Sequence, residues 1–253
     1  MIARITLVSL GVLFASAGIP ATALAQTTPS FVGVSTFQVK PGKRQQFEAL
    51  QQEANAARQQ AGVSARYAFR VLRGGSINEY VFFTPLDDGL ASYDQPNAIR
   101  QEMGDAGADE WFAQLSECVD DVRFDTLRAR EELSIPLSEG RASTLVRLRM
   151  VETRPGRGQD YERWVSDTWV PAMRAAGMNG VLHFQNAFGV GQRTWTRLTF
   201  YDSWAELEGH PVARHVGSDA FSEVLGNQDE MTHGPKVLIL ATLPNLNIFP
   251  GSR

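Results

Sequence analysis

Residues 41–62 read PGKRQQFEALQQEANAARQQAG, and residues 155–177 read PGRGQDYERWVSDTWVPAMRAAG. Each opens on a Pro-Gly turn, runs on for the length of a helix and closes on Ala-Gly, the residue pair that stops one. In the first, Phe47, Leu50, Ala54 and Ala57 form a single apolar stripe against Gln, Glu and Arg. In the second, Trp164, Val165, Thr168, Trp169, Ala172 and Met173 are expected on one face. Pro171 removes a backbone donor there and should kink the helix. The register continues outward. Gly156 follows Gly42 by 114 positions, while Gly177, Asp202 and Pro211 follow Gly62, Asp87 and Pro96 by 115. One unit is therefore written twice, with one extra residue in the second helix.

Each unit reads strand, helix, strand, strand, helix, strand. In the first, residues 31–39 are a strand and 43–61 a helix. Strands at 66–73 and 79–84 flank a Gly74-Gly75 hairpin turn. Helical pieces are expected at 87–93 and 108–118, and a last strand at 123–135. The second unit repeats this with a strand at 144–152, a helix at 159–176 and a hairpin of 181–188 with 194–201 across Gly189 and Gly191. Short helices at 203–208 and 219–225 precede a final strand at 236–243. The domain reading is a signal peptide at 1–25, a first repeat at 26–137, a linker at 138–142 and a second repeat at 143–247.

The order βαββαβ is the ferredoxin-like, split-βαβ unit. Its antiparallel sheet carries helices on one face and must bury the other. Two copies in one chain suggest an α+β protein in which two bare sheet faces meet. The Pro-Gly–helix–Ala-Gly opening, the G-x-x-N-E-Y-x-x-F stretch at Gly75–Phe83 and the segment Asp87–Tyr93 resemble the dimeric α+β barrel superfamily, in its antibiotic-monooxygenase and NIPSNAP-like branch. The resemblance covers most of the chain after residue 25. It implies a pseudo-symmetric barrel closed by a tandem repeat where relatives pair two chains. It also implies cofactor-independent oxygenation or isomerisation of an aromatic or ketone-like substrate.

Residues 1–25 carry one charge, Arg4, an apolar run from Ile5 to Ala17, and Ala23-Leu24-Ala25 before Gln26. That is the pattern of a cleaved secretory signal, so periplasmic or extracellular localisation is expected. The run is shorter than the roughly 20 apolar residues a spanning helix needs, and no membrane insertion is expected. The formal charge is −4. With no basic excess to neutralise phosphates, nucleic-acid binding is not expected. The single cysteine, Cys118, excludes an internal disulfide.

Period-two parity sorts the second unit's strands. One parity is apolar: Val146, Leu148, Met150, Leu182, Phe184, Leu198 and Phe200. The other holds Arg147, Arg149, His183, Gln185, Trp195, Arg197, Thr199 and Tyr201. The first-unit matches of the second set include Arg70 and Tyr80 amid small and aromatic residues. If these polar faces oppose each other, they enclose a chamber in which Arg147, Arg149 and Arg197, with Gln185, Trp195, Arg70 and Tyr80, bind an anionic or phenolic ligand. His183 is the candidate proton acceptor near neutral pH. Glu79 and Glu131 are the carboxylates that parity offers as internal partners. Two alternatives stay open. The arginines can be solvated or paired with carboxylates at a sheet rim, or the cavity can lie between sheet and helices, lined by Trp164, Trp169 and Phe200, in which case the arginine assignment fails.

Other chemistries find little support. His210 and His215 are five apart, about 140° of rotation on a helix and a poor chelating pair, and no metal site is expected. No G-x-S-x-G or P-loop occurs. Cys118 and the tryptophans Trp164, Trp169 and Trp204 read as core. No cofactor is assigned; haem is the alternative, because some relatives of the resembled superfamily bind it through a helix histidine, for which His215 is the candidate. The expected partner is a small organic ligand, with homo-oligomerisation an open possibility. The rival function classes are a non-catalytic binding or stress-response module and a haem-binding or haem-degrading protein.

Overall fold

The duplicated pattern folds into eight strands that close on themselves. The structure, a computed structural model, describes residues 29–137, 143–189, 191, 193–209 and 211–249. The expected signal peptide, the linker at 138–142 and His210 lie outside the described residues. The first repeat supplies β1 (Phe31–Val39), α1 (Arg44–Gln60), β2 (Tyr67–Arg73), β3 (Glu79–Leu86), α2 (Ala98–Cys118) and β4 (Val119–Ala129). The second supplies β5 (Leu145–Thr153), α3 (Gly158–Trp164), α4 (Val170–Ala175), β6 (Val181–Phe188) and β7 (Thr194–Tyr201). It continues with α5 (Trp204–Glu208), α6 (Pro211–Val216), α7 (Ser218–Met231) and β8 (Thr232–Thr242).

Around the barrel the strands run β1-β3-β2-β8-β5-β7-β6-β4, with antiparallel pairing throughout. Each repeat keeps the ferredoxin-like order, and the seams are β2 with β8 and β4 with β6. Closure within one chain leaves no sheet edge to aggregate. The hairpin glycines lock both seams. Gly74 and Gly189 take positive φ of 84° and 104°. A Cβ on Gly74 would fall on the Val237 carbonyl oxygen of β8, and one on Gly189 on the Asp125 carboxylate of β4. Each β-hairpin thus leans over the last strand of the other repeat.

The barrel interior is the apolar parity. Val34, Phe69, Val81, Phe83, Leu148, Leu198, Leu238 and Leu240 meet there in one cluster. This overturns the expected polar chamber, because the parity that carries Arg147, Arg149, His183 and Arg197 faces outward, toward the helices. Desolvating several unpaired charges against a second sheet costs several kcal/mol each, whereas the apolar faces gain from burial. Phe200 belongs to the barrel interior and not with Trp164 and Trp169. Glu79 also faces inward, and Glu131 is exposed, so neither partners those arginines.

Two further layers pack sheet against helix. In the first repeat Phe37, Phe47, Leu50, Tyr80, Phe82 and Trp111 fill the layer. In the second, Tyr161, Trp164, Trp169, Met173, Trp195 and Val212 do so. Several expected boundaries move. Residues 87–93 give a 3₁₀ turn, Gly89–Asp94. α2 starts ten residues before the expected Ala108, capped by the Asn97 side chain and broken at Gly104 (φ 69°). β4 ends at Ala129, where a 3₁₀ turn at Glu131–Leu133 replaces the expected strand end. α7 runs on to Met231 and β8 starts at Thr232. Trp204 is 48% exposed and is not core, while Cys118 is fully buried.

Candidate functional site

The second sheet–helix layer is built around a straight row across three strands. Arg149 on β5 pairs with Arg197 on β7, and Arg197 pairs with His183 on β6. Directly opposed residues hold their Cβ atoms about 5 Å apart, so two guanidiniums and an imidazole share one strip of sheet. The first repeat has the same register with other residues: Ser35 pairs with Phe82, and Phe82 with Ala68. There Phe82 and Ala68 are 0% exposed in a packed apolar layer. The second repeat has thus placed Arg149, Arg197 and His183 where the first needs only core.

The helical side owes its shape to the extra residue. Between α3 and α4 the chain makes a π-helical turn, Val165–Trp169, with the Val170 N–H bonded to the Val165 carbonyl. In an α-helix, residues five apart diverge by about 140°. The wider turn returns Trp164 and Trp169 to one face, stacked at 5.5 Å between ring centroids with 25° between planes. Such single π turns mark functional sites in many helices. The insertion is absorbed there, just ahead of Pro171. Tyr161 bridges Trp164 and Trp195 at 5.7 and 5.3 Å, which completes an aromatic wall.

Arg197 is 6% exposed and sets its guanidinium carbon 4.4 Å from the centroid of the Trp169 ring. Among the described residues no carboxylate pairs with Arg147, Arg149 or Arg197. Buried atoms without a hydrogen-bond partner collect here: Arg197 Nη1, Arg149 Nε, Trp164 Nε1 and both amide atoms of Gln228 on α7. The two ring nitrogens of His183 likewise make no hydrogen bond of normal geometry. Buried polar groups in folded proteins are nearly always partnered, so this gathering marks the candidate site.

Electrostatics follow from that burial. Desolvation pushes the Arg197 pKa down to about 10, with Arg149 and Arg147 adding to the fall and Tyr161 opposing it. Arg149 is lowered chiefly by burial and then by Arg147. Burial, then Arg197, drives the His183 pKa well below its usual value, against a weak opposing interaction with the Leu133 backbone. Burial raises the Tyr161 and Tyr201 hydroxyls, and the nearby arginines pull both back. The group is a positive, dehydrated cluster around a neutral imidazole. A bound anion offsets the cost to all three groups.

The turn after β4 fixes His183 from behind. The His183 N–H donates to Ser134 Oγ at 3.0 Å, and its carbonyl accepts from the Arg130 N–H at 3.0 Å. Arg130 also closes one end of the layer. It pairs with Glu132 and Glu162, reaches Gln185 Oε1 at 3.5 Å and covers Trp195 at 5.2 Å. Gln185 and Trp195 therefore sit at the edge of the row and serve its wall. Arg147, half-buried, flanks the row beside Tyr201.

Arg70 and Tyr80 lie in the other repeat's layer and do not join this group, which corrects their expected place in a shared chamber. The Tyr80 hydroxyl donates to Glu48 Oε1. Tyr161, Gln228 and Arg130 are the site residues that strand parity missed, since all lie outside the strands. Of the remaining histidines, His233 faces Glu152 at 3.6 Å near the surface. His215 is exposed on α6, while Val212 of the same helix is buried in the layer. His215, the haem-ligand candidate, is therefore not among the residues buried in that layer. Among the described residues no three His, Cys, Asp or Glu side chains gather to hold a metal ion.

No family model and no curated protein matches the sequence. Solved structures do. A protein provisionally assigned as a monooxygenase from Lactobacillus acidophilus NCFM superposes with a TM-score of 0.59 at 12% identity, covering 87% of this chain and 96% of that one. The chain has the dimeric α+β barrel fold. An anthrone oxidase-like protein gives 0.58 at 8% identity, over 88% and 94% of the two chains. A chlorite dismutase variant from Candidatus Nitrospira defluvii, in complex with cyanide, gives 0.50 at 9% identity over 87% and 93%. The barrel's described helices include none long and apolar enough to cross a membrane.

Proposed function

We propose that the protein binds a small organic anion or phenol in the second sheet–helix layer and acts on it as a cofactor-independent monooxygenase or isomerase. The observation that carries this reading is the Arg149–Arg197–His183 row, which replaces the Ser35–Phe82–Ala68 row of the first repeat. A stable core has no need of two unpaired guanidiniums, and apolar replacements of buried charges are often neutral or stabilising.

In this reading Arg197 and Arg149 hold the oxygen-bearing group of the ligand, and the aromatic wall takes its ring. His183, neutral when the site is free, accepts a proton from the substrate. The anion beside Arg197 raises the His183 pKa back toward neutrality, where a general base works best. The arginines stabilise the oxyanion formed. Electrons of that anion reduce dioxygen directly in an oxygenase, or the proton returns at another carbon in an isomerase. Support comes from the site geometry and from fold neighbours that include an assigned monooxygenase. The proposed setting is the periplasm or the extracellular space, and self-association accompanies it in this reading.

The test is oxygen uptake and substrate loss with hydroquinones and enolisable ketones. Turnover should fall at least a hundredfold in His183→Gln, within the range general bases supply, and vanish in Arg197→Met. Binding without turnover in the wild-type protein would instead identify a non-catalytic binding module.

A further inference from the structure

The barrel interior holds a cavity that the proposed activity does not use. It has a volume of about 160 Å³ and lies toward the end of the barrel where β1 finishes and β3 begins. Its wall is apolar: Val81, Phe83, Leu148 and Leu238. The opposite end of the barrel is plugged by Ala65, Leu137 and Phe249, which join the core cluster. The apolar floor of the cavity therefore faces the packed end of the barrel.

A ring of polar residues surrounds the cavity's mouth. Thr36, Asn186 and Thr196 are buried, at 9, 7 and 3% exposure. Glu79, Asp125, Arg123 and Lys236 add two charges of each sign. Glu79 is the inner carboxylate, with its side chain 11% exposed. Arg123 and Lys236 stand 3.8 and 4.0 Å from its Oε1, too far for a hydrogen bond. Among the described residues its carboxylate accepts no hydrogen bond. Glu79 thus holds two long ion pairs at the mouth of an apolar cavity and has room to accept a hydrogen bond.

We infer that this cavity binds a small neutral ring compound bearing one hydroxyl, with the ring among Val81, Phe83 and Leu148 and the hydroxyl donating to Glu79. The volume fits one ring, because an aliphatic-lined protein cavity of about 150 Å³ accepts benzene. The balanced mouth offers an ionised ligand no net attraction. A cationic head meets Arg123 and Lys236, and an anionic head meets Glu79 and Asp125. A hydroxyl supplies a hydrogen-bond donor to Glu79 without adding charge. The site stands apart from the Arg197 row, on the opposite face of the sheet.

Three matched probes test this: cyclohexanol, cyclohexylammonium and cyclohexanecarboxylate, titrated into the full chain and followed by ligand-observed NMR. Cyclohexanol should bind, and the two ions at least tenfold more weakly. Glu79→Ala should weaken cyclohexanol about tenfold, the loss of one hydrogen bond to a charged group. Val81→Phe should abolish binding by filling the floor, and Met150→Phe at the mouth serves if that variant does not fold. Arg197→Met should leave cyclohexanol binding unchanged, which separates this site from the proposed catalytic one. Absence of binding, preference for either ion, or retention in the filled variants overturns the inference.

Discussion

The Arg197 guanidinium carbon lies 4.4 Å from the centre of the Trp169 ring and the residue stands directly opposite His183 on the neighbouring strand, and among the described residues no carboxylate pairs with it. The cation–π contact offsets part of its desolvation, by roughly 1–2 kcal/mol, but leaves Nη1 without a partner. In the proposed function, the ligand compensates this cost to the free protein.

Arg197→Met tests that trade. The variant should be as stable as the parent or more so, by up to about 2 kcal/mol, because an unpaired buried charge gives way to an apolar chain of similar length. Chemical denaturation measures this. A loss above about 2 kcal/mol would mean that the guanidinium holds the fold together.

His183 gives a pH signature. Its folded pKa is depressed by burial and by Arg197, with Arg149 the next cation in the row. The unfolded chain therefore binds the proton more readily. Stability should be full above the ordinary histidine value of about 6.5 and fall as pH drops below it, by up to about 1.4 kcal/mol per pH unit. His183→Gln should flatten that slope in denaturation curves between pH 6.5 and 4.5. An unchanged slope would place the titration elsewhere.

The π-helical turn predicts the effect of a one-residue deletion. Removing the exposed Asp167 should restore an α-helical path, keep the barrel and leave Trp164 and Trp169 four apart, still on one helix face. Near-ultraviolet circular dichroism should keep the signal of the stacked indoles, and the far-ultraviolet spectrum should persist. Loss of the stack would show that the deletion is not absorbed by the π turn.

The seam glycines should differ in sensitivity. At Gly74 an added Cβ meets backbone, the Val237 carbonyl, whereas at Gly189 it meets the movable Asp125 side chain first. Both positions also have positive φ, which costs a Cβ-bearing residue about 1–2 kcal/mol. Gly74→Ala should therefore lower stability more than Gly189→Ala in thermal denaturation. The reverse order would show that the two hairpins do not lean on the opposite repeats as described.

Much of this fold was legible from residues 41–62 and 155–177, because helix stops and hairpin glycines recur at a fixed spacing. Strand parity also separated Val146, Leu148 and Met150 from Arg147 and Arg149. It did not say which set faces inward. In a sheet covered on both sides each face is buried, and alternation alone carries no label for barrel or helix. The apolar set fills the barrel because the opposing interior face is equally apolar. Arg197 and His183 were read as site residues from chemistry, and the structure brings them together in a different layer. Gln228 and Tyr161 had no parity signal, since their place depends on how α3 and α7 pack.

The most direct test is titration of 4-nitrophenolate, followed by quenching of tryptophan fluorescence from Trp164, Trp169 and Trp195. The account predicts saturable quenching that disappears in Arg197→Met and persists in Arg70→Met, whose side chain lies in the first repeat's layer. Quenching unaffected by Arg197→Met, or abolished by Arg70→Met, would contradict it.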